Sequence, residues 1–209
     1  MAGGCCDHAP SGAVLRTQRI ALWLVLAINM TMFLVEAAAG WSADSVALQA
    51  DALDFLGDSA NYAVALFVLG RSVAWRAGTA LIKGMAMSGF GLAVLAGSVY
   101  HALVGSIPEA PVMGWVGAVA LAANVACALI LFRFRGGDAN LRAVWLCSRN
   151  DAIGNLAVLG AALGVFASGT AWPDLAVGIV MASLALWAGH SIIRQAWGEL
   201  RAASPAPAE

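Results

Sequence analysis

Charge is the first thing this sequence lacks. Lys and Arg together number 11 and Asp and Glu 12 in 209 residues, so 11% is charged where a soluble domain carries about 25%. The hydrophobic share is 61% and the mean hydropathy is +0.82, which excludes an ordinary soluble domain and indicates an integral membrane protein. Cysteine is sparse: Cys5 and Cys6 are adjacent in a tail and Cys127 and Cys147 lie in apolar runs, a distribution that gives no disulfide framework. The apolar run after Arg16 and Arg19 is long enough to span, and no A-x-A-like cleavage site precedes a soluble domain, so no secretory leader is expected. Alternating polar and apolar residues are missing too, which excludes a transmembrane β-barrel. No short internal repeat and no separate soluble domain can be made out, and no nucleic-acid partner is expected.

Long apolar runs are what the sequence does have. Six of them, roughly 20–40, 45–69, 84–104, 112–132, 143–167 and 174–194, approach or exceed the ~20 residues a membrane helix needs. The fold expected is therefore an all-α membrane protein, a six-transmembrane-helix bundle over 16–200. A flexible tail at 1–15 precedes it and a disordered end at 201–209 follows. Arg and Lys orient the bundle. Arg16 and Arg19 precede the first run; Arg71, Arg76 and Lys83 separate the second from the third. Arg133, Arg135 and Arg142 separate the fourth from the fifth, and Arg194 and Arg201 follow the sixth, while the opposite connections carry no basic residue. Both termini are expected in the cytoplasm, in a multi-pass protein of the cell membrane, with the inner membrane of a bacterium the natural setting. Trp41, Trp115 and Trp172 would mark the outer interface and Trp75, Trp145 and Trp197 the inner one.

Against this apolar background, three aspartates in "LQADALDFLGDSAN" stand out. At about 100° per residue, Asp51, Asp54, Asp58 and Asn61 fall within about an 80° arc of one helix. A carboxylate at the bilayer centre costs at least ~2.5 kcal/mol, and three on one stripe repel unless cations or protons neutralise them. Asp54 and Asp58, spaced i and i+4, can hold one ion between them. In the fifth run, "LCSRNDAIGN" places Cys147, Asp151 and Asn155 at i, i+4 and i+8, again on one face. Two oxygens from one helix and a thiolate plus an oxygen from the other make a four-coordinate set. That set suits Zn²⁺ or Cd²⁺ better than Mg²⁺ or Ca²⁺, which want six or more oxygens.

These motifs resemble those of the cation diffusion facilitator family of metal exporters. "AINMTMFLVEAAAG" is similar to the family's first helix through Asn29, Glu36 and Gly40, and "SVALQADALDFLGDS" to its second. "DANLRAVWLCSRNDAIGN" resembles the fifth and "WPDLAVGIVMA" the start of the sixth. The resemblance implies a transport site of Asp54, Asp58, Cys147 and Asp151, with Cys147 where zinc exporters usually have His. It implies Zn²⁺ or Cd²⁺ carried out of the cytoplasm in exchange for protons by alternating access, in a homodimer and without a prosthetic group; Mn²⁺, Fe²⁺ or Co²⁺ is the alternative cargo. Asp51 would lie in a proton path or behind the ligands, and Asn155, Asn61 and Asn29 would orient ligands by hydrogen bonds. The family's cytoplasmic C-terminal domain has no counterpart in the sequence, so a dimer is expected to rest on the membrane helices.

Weaker signals remain. "GGCCDHAP" offers Cys5, Cys6 and His8 as a second metal-competent cluster, read beside the plain alternative of a disordered tail. His101 and His190 are expected to pack at span ends. Two other classes compete with transport. Membrane CDP-alcohol phosphotransferases also stack aspartates in helices, but the Asp-Gly-x-x-Ala-Arg stretch they need is absent upstream of Asp51. A protein that binds metal without moving it is the other.

Overall fold

The computed structural model describes residues 16–67, 72–132, 134 and 139–203, and for 65, 73, 76 and 139–150 it describes the backbone path without the side chains. Six helices follow in chain order: α1 (Arg16–Ser42), α2 (Val46–Phe67), α3 (Val73–Val104), α4 (Ala110–Phe132), α5 (Ala139–Ser168) and α6 (Trp172–Ala203). No strand occurs among the described residues. The expected all-α bundle is present, and five of its helices are long and apolar enough to cross a membrane by length and composition. The sixth, α2, is of spanning length but carries Asp51, Asp54 and Asp58.

α2 occupies the centre. It packs against α1, α3, α5 and α6, while α3 lies along α6 and α4 along α5. None of residues 46–59 is exposed. The aspartate-bearing helix is thus shielded from lipid by its neighbours, which is how a bundle accommodates charge at membrane depth. Apart from Phe67 at the end of α2, the exposed large side chains lie elsewhere: Leu34, Ile82, Leu92, Leu103, Leu129, Leu163 and Phe166 make an apolar outer surface that suits lipid tails. Trp41, Trp115 and Trp172 at one set of helix ends, and Trp75 and Trp197 at the other, are 50–79% exposed, where amphipathic rings of an interfacial belt belong. The Trp145 side chain is not among those described.

The start of α2 is fixed from two sides. Asp174, 1% exposed in the first turn of α6, caps it across the bundle. Its Oδ2 accepts Val46 N–H at 2.8 Å, and its Oδ1 accepts Ala47 N–H at 3.1 Å and the Ser45 hydroxyl at 2.7 Å. Ser45 Oγ in turn accepts Leu48 N–H at 3.1 Å, so every donor in the first turn has an acceptor. Gly178, one turn into α6, lets the helices come this close: a Cβ there would lie 2.5 Å from Val46 Cγ1 and 2.8 Å from Val46 C. From the other side, Gly40 of α1 accepts Ser45 N–H at 2.9 Å and Gln49 Nε2–H at 3.1 Å through its carbonyl, and a Cβ on it would press on the Gln49 backbone at 2.9 Å.

The helices differ from the apolar runs at their ends. α3 begins at Val73, eleven residues before the expected span, so Lys83 lies within a helix and not in a connection. α6 runs to Ala203, past the expected domain end, with Gln195 donating to Glu199 at 3.1 Å on its exposed face. Both extensions carry polar residues that lower hydropathy without lowering helix propensity.

Candidate metal-binding site

Asp58 is the hub of the polar interior. It is 7% exposed, and its Oδ2 accepts the Tyr62 hydroxyl at 2.8 Å, one turn further along α2. Its carboxyl faces that of Asp151 from α5 within hydrogen-bonding reach, and Asn61 also bonds to it. Asp54, one turn earlier on α2, acts on both Asp58 and Asp151 through space. Two of the expected ligands are therefore brought face to face from separate helices, with a third beside them. Unit charges ~4 Å apart at an effective dielectric of ~20 interact by about 4 kcal/mol, so facing carboxylates need a cation between or beside them.

The fourth expected ligand, Cys147, is one turn before Asp151 in the α5 backbone, and its side chain is not among those described. Among the described residues no group of three His, Cys, Asp or Glu side chains closes to metal-holding distance. Asp58 is instead engaged by Tyr62, Asn61 and Asp151. Cys5, Cys6 and His8 lie outside the described residues.

The asparagines divide. Asn61 bonds to Asp58 and also accepts from Lys83 Nζ of α3, so a lysine charge acts on the Asp58 carboxyl. Asn155 is fully buried and donates to the Asp151 carbonyl at 3.0 Å, leaving its Oδ1 without a partner beside the site. Asn29 donates to the Val25 carbonyl at 2.8 Å and to Cys127 Sγ at 3.5 Å. Asn29 therefore stands one step behind the carboxylates, through a buried thiol that Asp58 and Asp151 both act on. His101, in the last turn of α3, bonds to Ser106, while His190 is exposed well inside α6 and not at a helix end.

Tyr62, Lys83 and Cys127 were not singled out by the sequence as site residues. Tyr62 had a usable signal, since it follows Asp58 at i+4 on the same stripe. Lys83 and Cys127 come from other helices, and their proximity depends on how α3 and α4 pack.

A buried and a half-buried carboxyl facing each other from α2 and α5, inside a bundle of six long helices, mark a polytopic membrane protein with a polar interior. A family model described as the cation efflux transmembrane domain matches residues 22–201, and the chain belongs to that family. The matched family is described by cation efflux and not by phosphoryl transfer. Over 205 residues the chain is also 28% identical to a protein of Bacillus velezensis named "Cadmium, cobalt and zinc/H(+)-K(+) antiporter". That match covers 87% of this chain and 64% of the relative, so the chain spans a little under two thirds of the relative's length.

Proposed function

We propose that this protein exports divalent transition-metal ions, Zn²⁺ or Cd²⁺ foremost, in exchange for protons. Asp54, Asp58 and Asp151, with Cys147, are the residues that hold the ion. The observation that carries this reading is the pairing of Asp58 with Asp151: the buried carboxyl of one and the half-buried carboxyl of the other face each other between α2 and α5. Such a pair is stable with one proton between its members or with a dication drawing both in. The two occupants exclude each other, which is the chemical requirement of an exchanger.

The roles of the surrounding residues follow. Binding a metal strips protons from the carboxyls and from the Cys147 thiol; returning protons expel it. The Tyr62 hydroxyl holds Asp58 in place through either state, because it donates to an oxygen that remains an acceptor in both. Lys83, reaching the same neighbourhood through Asn61, supplies positive charge while the dication is away. Alternating access needs the α2 and α5 ligands to open first to one side and then to the other. With Arg and Lys gathered at the cytoplasmic ends, export runs from that side to the outside. A second copy of the chain, expected from family likeness, would pair through the membrane helices, and light scattering in nanodiscs distinguishes monomer from dimer.

The test is metal flux in proteoliposomes. Asp54→Ala and Asp151→Ala should abolish Zn²⁺ transport while the protein still inserts and elutes as wild type. Transport should also follow an imposed pH gradient and collapse with a protonophore. Near-normal flux in either variant overturns the site; flux indifferent to the gradient overturns the exchange.

A further inference from the structure

Glu36 of α1 is the most enclosed charged residue among those described. It is 0% exposed, and neither Oε1 nor Oε2 has a hydrogen-bond donor. What faces it is another carboxyl: Asp51 of α2 lies within hydrogen-bonding reach, is 2% exposed, and has an Oδ2 that is equally without a donor. The tight α1–α2 crossing at Gly40 and Gln49 holds the two helices together next to this pair. Along each helix the pair sits between two apolar clusters. Met32, Phe55 and Ala120 lie on one side; Ala47, Leu48 and Met113 on the other. The charged groups acting on the two carboxyls are Asp54 of α2, which interacts with both Glu36 and Asp51, and Asp151 of α5, which interacts with Asp51; no cationic side chain is among the causes acting on either.

We infer that Glu36 and Asp51 form a proton-binding site of their own, separate from the metal ligands, which carries one of the protons exchanged for metal. Two buried carboxyls in hydrogen-bonding reach, with no other donor, are satisfied when one proton bridges them. No further His, Cys, Asp or Glu among the described residues joins them in a metal-holding group, so the pair by itself does not complete a metal ion's coordination. Asp51 stands three residues, ~4.5 Å of helix rise, before Asp54, which puts the pair within the field of a dication at the metal site. Metal arriving there favours release of the bridging proton, and metal leaving favours its return. Coupling between the two sites is thus electrostatic and reciprocal, and no shared ligand is required.

This inference rests on the exchange reading above, and its tests separate the two. The variants are Glu36→Gln and Asp51→Asn, both isosteric, so that one serves if the other fails to fold; folding is checked by size-exclusion elution and Zn²⁺ binding in detergent. Without any transport measurement, metal-free protein carrying Asp58→Asn and Asp151→Asn, which removes the other carboxyl pair, should show at neutral pH the infrared carbonyl-stretch band of a protonated carboxyl, and adding Glu36→Gln should abolish it, while Glu36→Gln alone still binds Zn²⁺. In proteoliposomes at clamped membrane potential, each coupled proton multiplies by about ten the metal gradient that a one-unit pH gradient sustains. Both variants should therefore cut that gradient about tenfold. An unchanged band, an unchanged gradient, or loss dependent on a K⁺ gradient and not on pH overturns the proton assignment. Absence of metal flux in wild type, with the band present and lost on adding Glu36→Gln, leaves the proton site standing and defeats the exchange reading instead.

Discussion

Replacing Asp174 with Ala removes the acceptor on which the whole first turn of α2 depends. Two backbone N–H groups, Val46 and Ala47, lose their partner, and neither has water nearby because both residues are 0% exposed. A stranded buried donor costs about 1–3 kcal/mol, so the pair alone costs about 2–6 kcal/mol. Ser45 caps Leu48 with or without Asp174 and so offsets none of this, and the expectation stays at about 2–6 kcal/mol. Asp174→Asn keeps the shape and one carbonyl acceptor, but turns an NH₂ group toward the remaining donors, and should cost about half as much. The assay is equilibrium unfolding in mixed micelles with rising dodecyl sulfate, followed by far-UV circular dichroism. Metal flux should fall in the same order, because the cap sets the height at which α2 presents Asp54 and Asp58. Asp174→Ala within about 0.5 kcal/mol of wild type, or a larger loss for Asn than for Ala, would refute the capping argument.

Gly178→Ala puts a methyl group 2.5 Å from Val46 Cγ1 and should destabilise the bundle by about 1–3 kcal/mol in the same assay, with flux reduced in proportion. Tyr62→Phe removes the hydroxyl that orients Asp58 and should weaken Zn²⁺ binding about tenfold by equilibrium titration in detergent; unchanged affinity would mean that Asp58 needs no such support. Cys147→His should keep Zn²⁺ transport while lowering the preference for Cd²⁺, and Cys147→Asp should move preference toward Mn²⁺ in competition flux. One metal ranking for all three proteins would remove Cys147 from the ligand set.

The number of helices and their order were legible because hydropathy measures contact with lipid, and five of the six face it. Helix ends were less legible for the same reason. The first turns of α3 and the last of α6 carry Lys83, Arg194, Gln195 and Glu199, which a hydropathy window discards and a helix accepts. Asp54, Asp58 and Asp151 could be picked out because spacing within one helix carries face information. Asp174, by contrast, reads locally as an acidic residue in a first helical turn, a common and self-sufficient placement. Its partner is 128 residues away and no pattern in the chain announces it. Glu36 and Asp51 each stood in a recognisable motif, but that they face each other is a fact of the α1–α2 crossing alone.

The enclosure of α2 bears on how the protein gets made. A segment with three aspartates, each costing about 2.5–3.5 kcal/mol at mid-membrane on the insertion scale, is a poor candidate to partition into lipid by itself. Its neighbour α1 emerges from the ribosome first, with Gly40 ready to accept from Ser45 and Gln49 and with Glu36 awaiting Asp51. α3, α5 and α6, which complete the enclosure, and Asp174, which caps the helix, are synthesised later. During biogenesis α2 therefore passes through a period when it is held as half of a helical hairpin. In that interval it is the segment of this chain most dependent on the insertion machinery.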